Sequence, residues 1–190
     1  MHTDRPERRA AIDYLRRKGT EAPASKLLAG LRATFHTFEQ TIDRVPEGLR
    51  AQRPTATSWS VHEIVDHLVE SNRPALVELR DLLAGISPAD GPIPARLTSP
   101  NALERSWAAL TQELKSVHAD VLDVVAGATD DAASLLARAP LVMVVKVPGR
   151  TGPEILEWVE ALDWKAYAQA LRVHTHEHLA QVERTVAALR

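Results

Sequence analysis

The sequence predicts an all-α domain. Its expected form is a four-helix bundle with a long crossover connection, an extra N-terminal helix, and short helical or extended pieces before the last helix. Three observations carry this prediction. Four long segments repeat their apolar residues with the 3.6-residue period of a helix. Proline and glycine gather between those segments, most densely over residues 85–100. A chain of 190 residues that is 45% apolar is also large enough to bury one hydrophobic core. Four long helices with a single long connection suit a bundle.

The first element is a short helix over residues 6–18, stopped at Gly19. Residues 25–45 place Leu27, Leu28, Leu31, Phe35, Phe38, Ile42 and Val45 on one face, and Pro46 stops the run. His36 falls off that stripe and is expected at the surface. The next helix has a strong start signal. Ser60 and Glu63 are spaced as a capping box, with Trp59 and Ile64 in the hydrophobic-staple positions. Its pattern runs to about Ala84, with Pro74 expected to kink it and Gly85 to end it. Residues 85–100 read as a loop. Ser99 as cap and Pro100 at the first helical position predict a helix over 99–126. Its stripe is Leu103, Trp107, Leu110, Leu114, Val117, Val121 and Val124.

Beyond Gly127 the periodicity weakens. Residues 130–139 read as one or two helical turns, and the valine-rich 141–147 as a short extended piece before a Pro148-Gly149 turn. Thr151 and Glu154 are spaced as a second capping box, with Pro153 in the first turn. They predict a short helix with Ile155, Val159 and Leu162 on one face. That stripe is out of phase with the one starting at Trp164, so a break is expected at Leu162 or Asp163, followed by the long last helix.

Composition narrows the function. The formal net charge is −2, with no long Lys/Arg block, which argues against a nucleic-acid partner. The basic N-terminal stretch is interrupted by Asp4, Glu7 and Asp13 and reads as the solvated side of a helix. Without cysteine there is no disulfide and no thiolate metal site, so any reactive thiol would have to arrive with a substrate or small cofactor. No long apolar run or signal-peptide core is present, so no membrane partner and a cytoplasmic location are expected.

His174 and His178, four residues apart on the apolar side of the last helix, are the main functional signal. His176 between them points the other way. A buried imidazole is costly unless its nitrogens find partners. One divalent cation would serve both rings, because i,i+4 spacing lets two imidazoles converge. Two core histidines bonded to other groups are the alternative reading. A third ligand is sought near His62 and His67. The string from His62 to His67 superficially resembles the zinc-protease H-E-x-x-H motif but is one residue too long. Five residues turn the two rings roughly 140° apart, so they cannot share a metal as an i,i+4 pair does. They flank the apolar face on opposite sides, and periodicity does not choose between them.

Trp59-Ser60-Val61-x-Glu63-Ile64-x-x-His67-Leu68, followed by His174-x-x-x-His178-Leu179-x-Gln181, resembles the DinB-like superfamily of four-helix-bundle metalloenzymes, which includes YfiT-like metal-dependent hydrolases. The resemblance spans residues 25–190 and implies a bundle domain over that range, with residues 1–24 as an N-terminal extension. It implies that His67, His174 and His178 bind one divalent metal ion, zinc or nickel foremost, with iron, copper or manganese also compatible. Three neutral ligands leave the ion's charge uncompensated and a coordination position open, as catalytic sites require. That position could acidify a water or a thiolate-forming substrate. Related families are S-transferases and isomerases that use a low-molecular-weight thiol.

The functional expectation is therefore a metal-dependent enzyme, a thiol-dependent S-transferase or a hydrolase acting on a small-molecule substrate. The alternatives are a non-catalytic metal-binding stress-response protein and a helical interaction module with structural histidines. A homodimer is plausible for such a bundle. Ser71 reads as an exposed serine, with a role beside His67 as the alternative. Tyr167 reads as a core tyrosine, with a hydroxyl reaching the site as its alternative. His118 reads as a boundary residue. Glu70 and Glu177 turn to the polar side, so no carboxylate stands out as a general base.

Overall fold

A computed structural model of the chain describes residues 5–131, 135–149 and 152–190. Helix α1 (Pro6–Leu15) runs into a π-helical turn, Arg16–Thr20, and is followed by α2 (Ala24–Asp43) and the short α3 (Glu47–Arg50). Helices α4 (Val61–Leu83), α5 (Trp107–Ala126) and α6 (Trp164–Ala188) complete the bundle. Strands β1 (Ala139–Pro148) and β2 (Pro153–Leu162) form an antiparallel pair between α5 and α6. The all-α expectation is thus corrected to a mainly helical fold with one two-stranded sheet.

Helix α2 packs against α5 and α6, and α4 packs against the same two, so the order around the bundle is α2, α5, α4, α6. The apolar stripe read from α2 is the face that is buried: Leu27, Leu31, Phe35, Phe38 and Ile42 all lie in the core. The capping box that starts α4 is complete. Ser60 Oγ accepts from the Glu63 N–H, and the Glu63 carboxylate accepts from the Ser60 N–H. Pro74 lies inside α4, and Gly85, with φ of 77°, ends the helix by a conformation that side chains disfavour.

Three boundaries differ from expectation. Helix α5 starts at Trp107 with Ser106 as its cap, the Ala109 N–H donating to Ser106 Oγ. Ser99 is used elsewhere, as a ligand of Asp66, so residues 99–106 stay in the crossover apart from a 3-10 turn at Ala102–Glu104. The second difference is the helix expected at 155–162, which is strand β2. Its register sets Val145 opposite Leu156, Met143 opposite Trp158 and Leu141 opposite Glu160. Pairing with a valine-rich neighbour outweighs the helix propensity of its Leu, Glu and Ala residues. Leu156 and Leu162 then face inward by a period of two, while Ile155 and Val159 are exposed. Thr151, the expected cap, lies outside the described residues, as does part of the stretch expected to hold helical turns at 130–139. The chain does break at Asp163, whose carboxylate caps α6 by accepting from the Lys165 and Ala166 N–H groups.

The third difference is the N-terminal segment. Arg8 does not simply face solvent. Its guanidinium donates to Glu160 on β2 at 3.2 Å and lies over the Trp158 ring. Leu15 and Ala22 are buried in the same core cluster as Trp164 and Tyr167. Gly19 passes so close to α6 that a Cβ there would stand 2.6 Å from Ala166 Cα.

Candidate metal centre

Helices α4 and α6 run antiparallel, since His67 of α4 meets His174 of α6 while Glu78, farther along α4, meets Tyr167, earlier in α6. This geometry carries the seventh residue of α4 to the middle of α6. The structure brings His67, His174 and His178 together, one nitrogen from each within 4.8 Å of the others. His67 Nε2 is 3.0 Å from His174 Nε2, and His178 Nε2 is 3.1 Å from the same atom. The ring centroids are 4.6–5.1 Å apart. His62, the competitor, is also buried, but its ring packs edge-on against Trp107, away from this cluster.

The backs of two rings are fixed. His67 Nδ1 is 2.8 Å from the Leu97 carbonyl oxygen, and His178 Nδ1 is 2.8 Å from Gln181 Oε1. Both oxygens only accept, so each Nδ1 carries a proton and, in the neutral ring, each Nε2 presents a lone pair. His174 Nε2 can offer at most one proton to its two neighbours. At least one of the close nitrogen pairs therefore sets lone pair against lone pair. A cation between them removes that conflict. The two shorter separations approach the spacing of about 3.3 Å that tetrahedral ligands have around a zinc 2.0–2.1 Å away. Donor chemistry and geometry thus both fit a divalent metal.

All three rings are held in the neutral form a metal needs. Burial pushes His67 below the ordinary imidazole value, against the opposing pull of the Leu97 carbonyl and Asp66. Burial does the same to His174, which lies well below, and the neighbouring His178 and His67 add to it. His178 is lowered to about 4 by burial and by His67, with Gln181 opposing. Among the described residues no carboxylate bonds to any of the three rings, so a bound cation would keep its charge.

The surroundings contain groups that periodicity did not mark. The Trp59 indole packs on His67 and His178, with centroid distances of 5.0 and 6.2 Å, in addition to its place beside the start of α4. Asp66, fully buried one residue before His67, takes the Ser99 N–H at 2.8 Å, the Ser99 hydroxyl at 2.7 Å and the Arg105 guanidinium at 2.7 Å. Arg105 continues to Glu70 and Glu113. The crossover is thereby tied down over the imidazole cluster. A buried aspartate on the polar side of a helix start looks like a solvated charge in sequence, and only the return of residues 97–105 shows otherwise.

The secondary candidates fall away from the cluster. Ser71 is buried rather than exposed, and its hydroxyl donates to the His67 backbone carbonyl, as helix serines do, without touching the ring. Tyr167 is a core tyrosine whose hydroxyl donates to Glu78 at 2.5 Å. Burial raises the Tyr167 phenol and raises the Glu78 carboxyl, the latter opposed by the Tyr167 hydrogen bond. His118 is not a boundary residue. It is fully buried, stacked on Phe35 at 3.8 Å, and bonded through Nδ1 to Glu39.

No helix among the described residues is long and apolar enough to cross a membrane. No curated protein matches the chain. Among solved structures, YfiT from Bacillus subtilis, described as a probable metal-dependent hydrolase with an unusual four-helix bundle topology, aligns with a TM-score of 0.61. The identity is 15%, and the alignment covers 85% of each chain. At that identity the likeness is one of fold. The family model for the DinB superfamily matches residues 30–182, the span that holds all three clustered histidines. The chain therefore belongs to the DinB superfamily.

Proposed function

We propose that this protein is a metal-dependent enzyme whose His67, His174 and His178 hold one divalent cation through their Nε2 atoms, and that it acts as a hydrolase on a small molecule. The observation that carries this reading is the convergence of three imidazoles, two of which have their protons turned outward by Leu97 and Gln181. A divalent ion with three neutral ligands supplies Lewis-acid chemistry, acidifying a water or thiol drawn to it. The chain's own residues do the rest. The Leu97 carbonyl and the Gln181 amide orient two rings and keep their Nε2 lone pairs inward. Trp59 shields the cluster from bulk water on one side. YfiT, with the same fold, is described as a probable metal-dependent hydrolase, which supports hydrolysis as the reaction class.

Elemental analysis tests the metal directly. The protein incubated with zinc, nickel or manganese and then desalted is expected to retain about one equivalent, and His178→Ala to retain little. A panel of ester, amide and phosphoester substrates, run with and without low-molecular-weight thiols, tests the reaction. Turnover that needs a thiol and transfers it would replace hydrolysis by the S-transferase reading. Turnover unchanged in His178→Ala would remove the metal from the chemistry.

A further inference from the structure

Trp59 belongs to two places at once. Its indole lies against His67 and His178, and the same side chain lines a cleft of about 560 Å³ together with Pro54, Thr57, Arg96, Gln181 and Arg184. Gln181 is the residue that holds His178. The cleft therefore shares two wall residues with the imidazole cluster. It opens where the crossover meets the last turns of α6.

The charge of this cleft is one-sided. Arg96 and Arg184 line it, and no carboxylate does. Neither guanidinium has a hydrogen bond or ion pair among the described residues. Arg53, Arg8 and Arg105 are matched with Glu63, Glu160 and Asp66, whereas Arg32, Arg44 and Arg80 also lack side-chain partners among the described residues but do not line this cleft. Two like charges left facing one concave surface repel each other and focus a positive potential into it. An anion relieves both effects, and the planar fork of a guanidinium fits the paired oxygens of a carboxylate or phosphate.

We propose that this cleft is the substrate subsite, and that it takes a small organic anion. Its carboxylate or phosphate group is held by Arg96 and Arg184, its body lies on the face of Trp59, and its reacting end is directed toward the three imidazoles. The inference rests on the metal-enzyme reading above and names the substrate class for that site.

The test follows the indole N–H signal of Trp59 in a proton–nitrogen NMR spectrum, identified among four tryptophans by its loss in Trp59→Phe. The zinc-loaded and the chelator-stripped protein are each titrated with benzoate, phenylphosphonate and the neutral benzamide. Either anion is expected to shift the signal saturably in both forms, with the better of the two identifying the head group. Benzamide, and benzoate with the Arg96→Gln/Arg184→Gln double variant, are expected to bind about tenfold more weakly or less. Zinc stoichiometry in the double variant should be unchanged. Benzamide binding as tightly as benzoate, or a double variant that binds like wild type, would overturn the proposal. So would anion binding that needs zinc and survives the double variant, because the anion would then sit on the metal. A protein that takes up no zinc yet binds anions through the two arginines would keep the subsite and lose the metal reading.

Discussion

Asp66 and His67 are consecutive on α4, yet both hold the same distant loop: Asp66 takes the N–H and hydroxyl of Ser99, and His67 Nδ1 donates to the Leu97 carbonyl. One carboxylate therefore sets the loop, and the loop sets the ring. Asp66→Asn keeps the shape but removes the charge that Arg105 pairs with in a buried place. It is expected to destabilise the fold by about 3 kcal/mol and to weaken metal binding by roughly tenfold. Urea unfolding and zinc competition titration measure the two effects. Stability falling while metal affinity stays unchanged would show that the loop does not orient His67.

Of the three rings, Gln181 bonds only to His178. Gln181→Leu removes the acceptor that keeps the His178 proton on Nδ1. Metal affinity is expected to drop by roughly tenfold, and Gln181→Glu to restore or exceed the wild-type value. Because Gln181 is partly exposed, unfolding free energy should move by less than about 1 kcal/mol. Zinc competition on the three proteins checks the order.

The metal-free protein should lose stability in acid through the same rings. His178 has its ordinary value of 6.5 when unfolded and about 4 when folded. Between those values the unfolded chain binds a proton that the native ring refuses, so stability rises with pH across that window and falls as pH is lowered through it. His178 alone contributes at most on the order of 2 kcal/mol between pH 7 and pH 5. His67 and His174, also depressed, act in the same direction. Urea unfolding in the presence of chelator at the two pH values should show a smaller difference for His178→Gln than for wild type.

Gly19→Ala probes the docking of the N-terminal segment. The new methyl would meet backbone atoms, Ala166 Cα at 2.6 Å and Lys165 O at 3.0 Å, neither of which can swing aside as a side chain can. A loss of about 2 kcal/mol is expected. Thermal unfolding measures it, and an unchanged midpoint would mean that the segment contributes nothing to the bundle.

Much of this molecule can be read from local pattern. The stripe of α2, the Ser60–Glu63 box and the break at Asp163 depend on neighbours within one or two turns, and all are found in place. What failed depends on distant partners. Residues 153–162 have a helix-compatible composition and become a strand because β1 offers them a ladder. Ser99 looks like a cap and is instead bound by Asp66, 33 residues away. The site divides in the same way. His174 and His178 announce themselves by spacing on one helix. The choice of His67 over His62 depended on family resemblance, because it is settled in space by how α4 lies on α6. Asp66, Arg96 and Arg184 carried no local signal at all.

The rings of His67 and His178 are braced from behind by an oxygen each, within a bundle whose apolar core is complete on both sides of them. Little ordering remains to be done when an ion arrives, unlike in small zinc domains that fold around their metal. The native chain already gathers the three nitrogens around a common point, so that an ion would find its ligands assembled. A scaffold with its ligands assembled in advance would remain folded after a chelator had taken such an ion away.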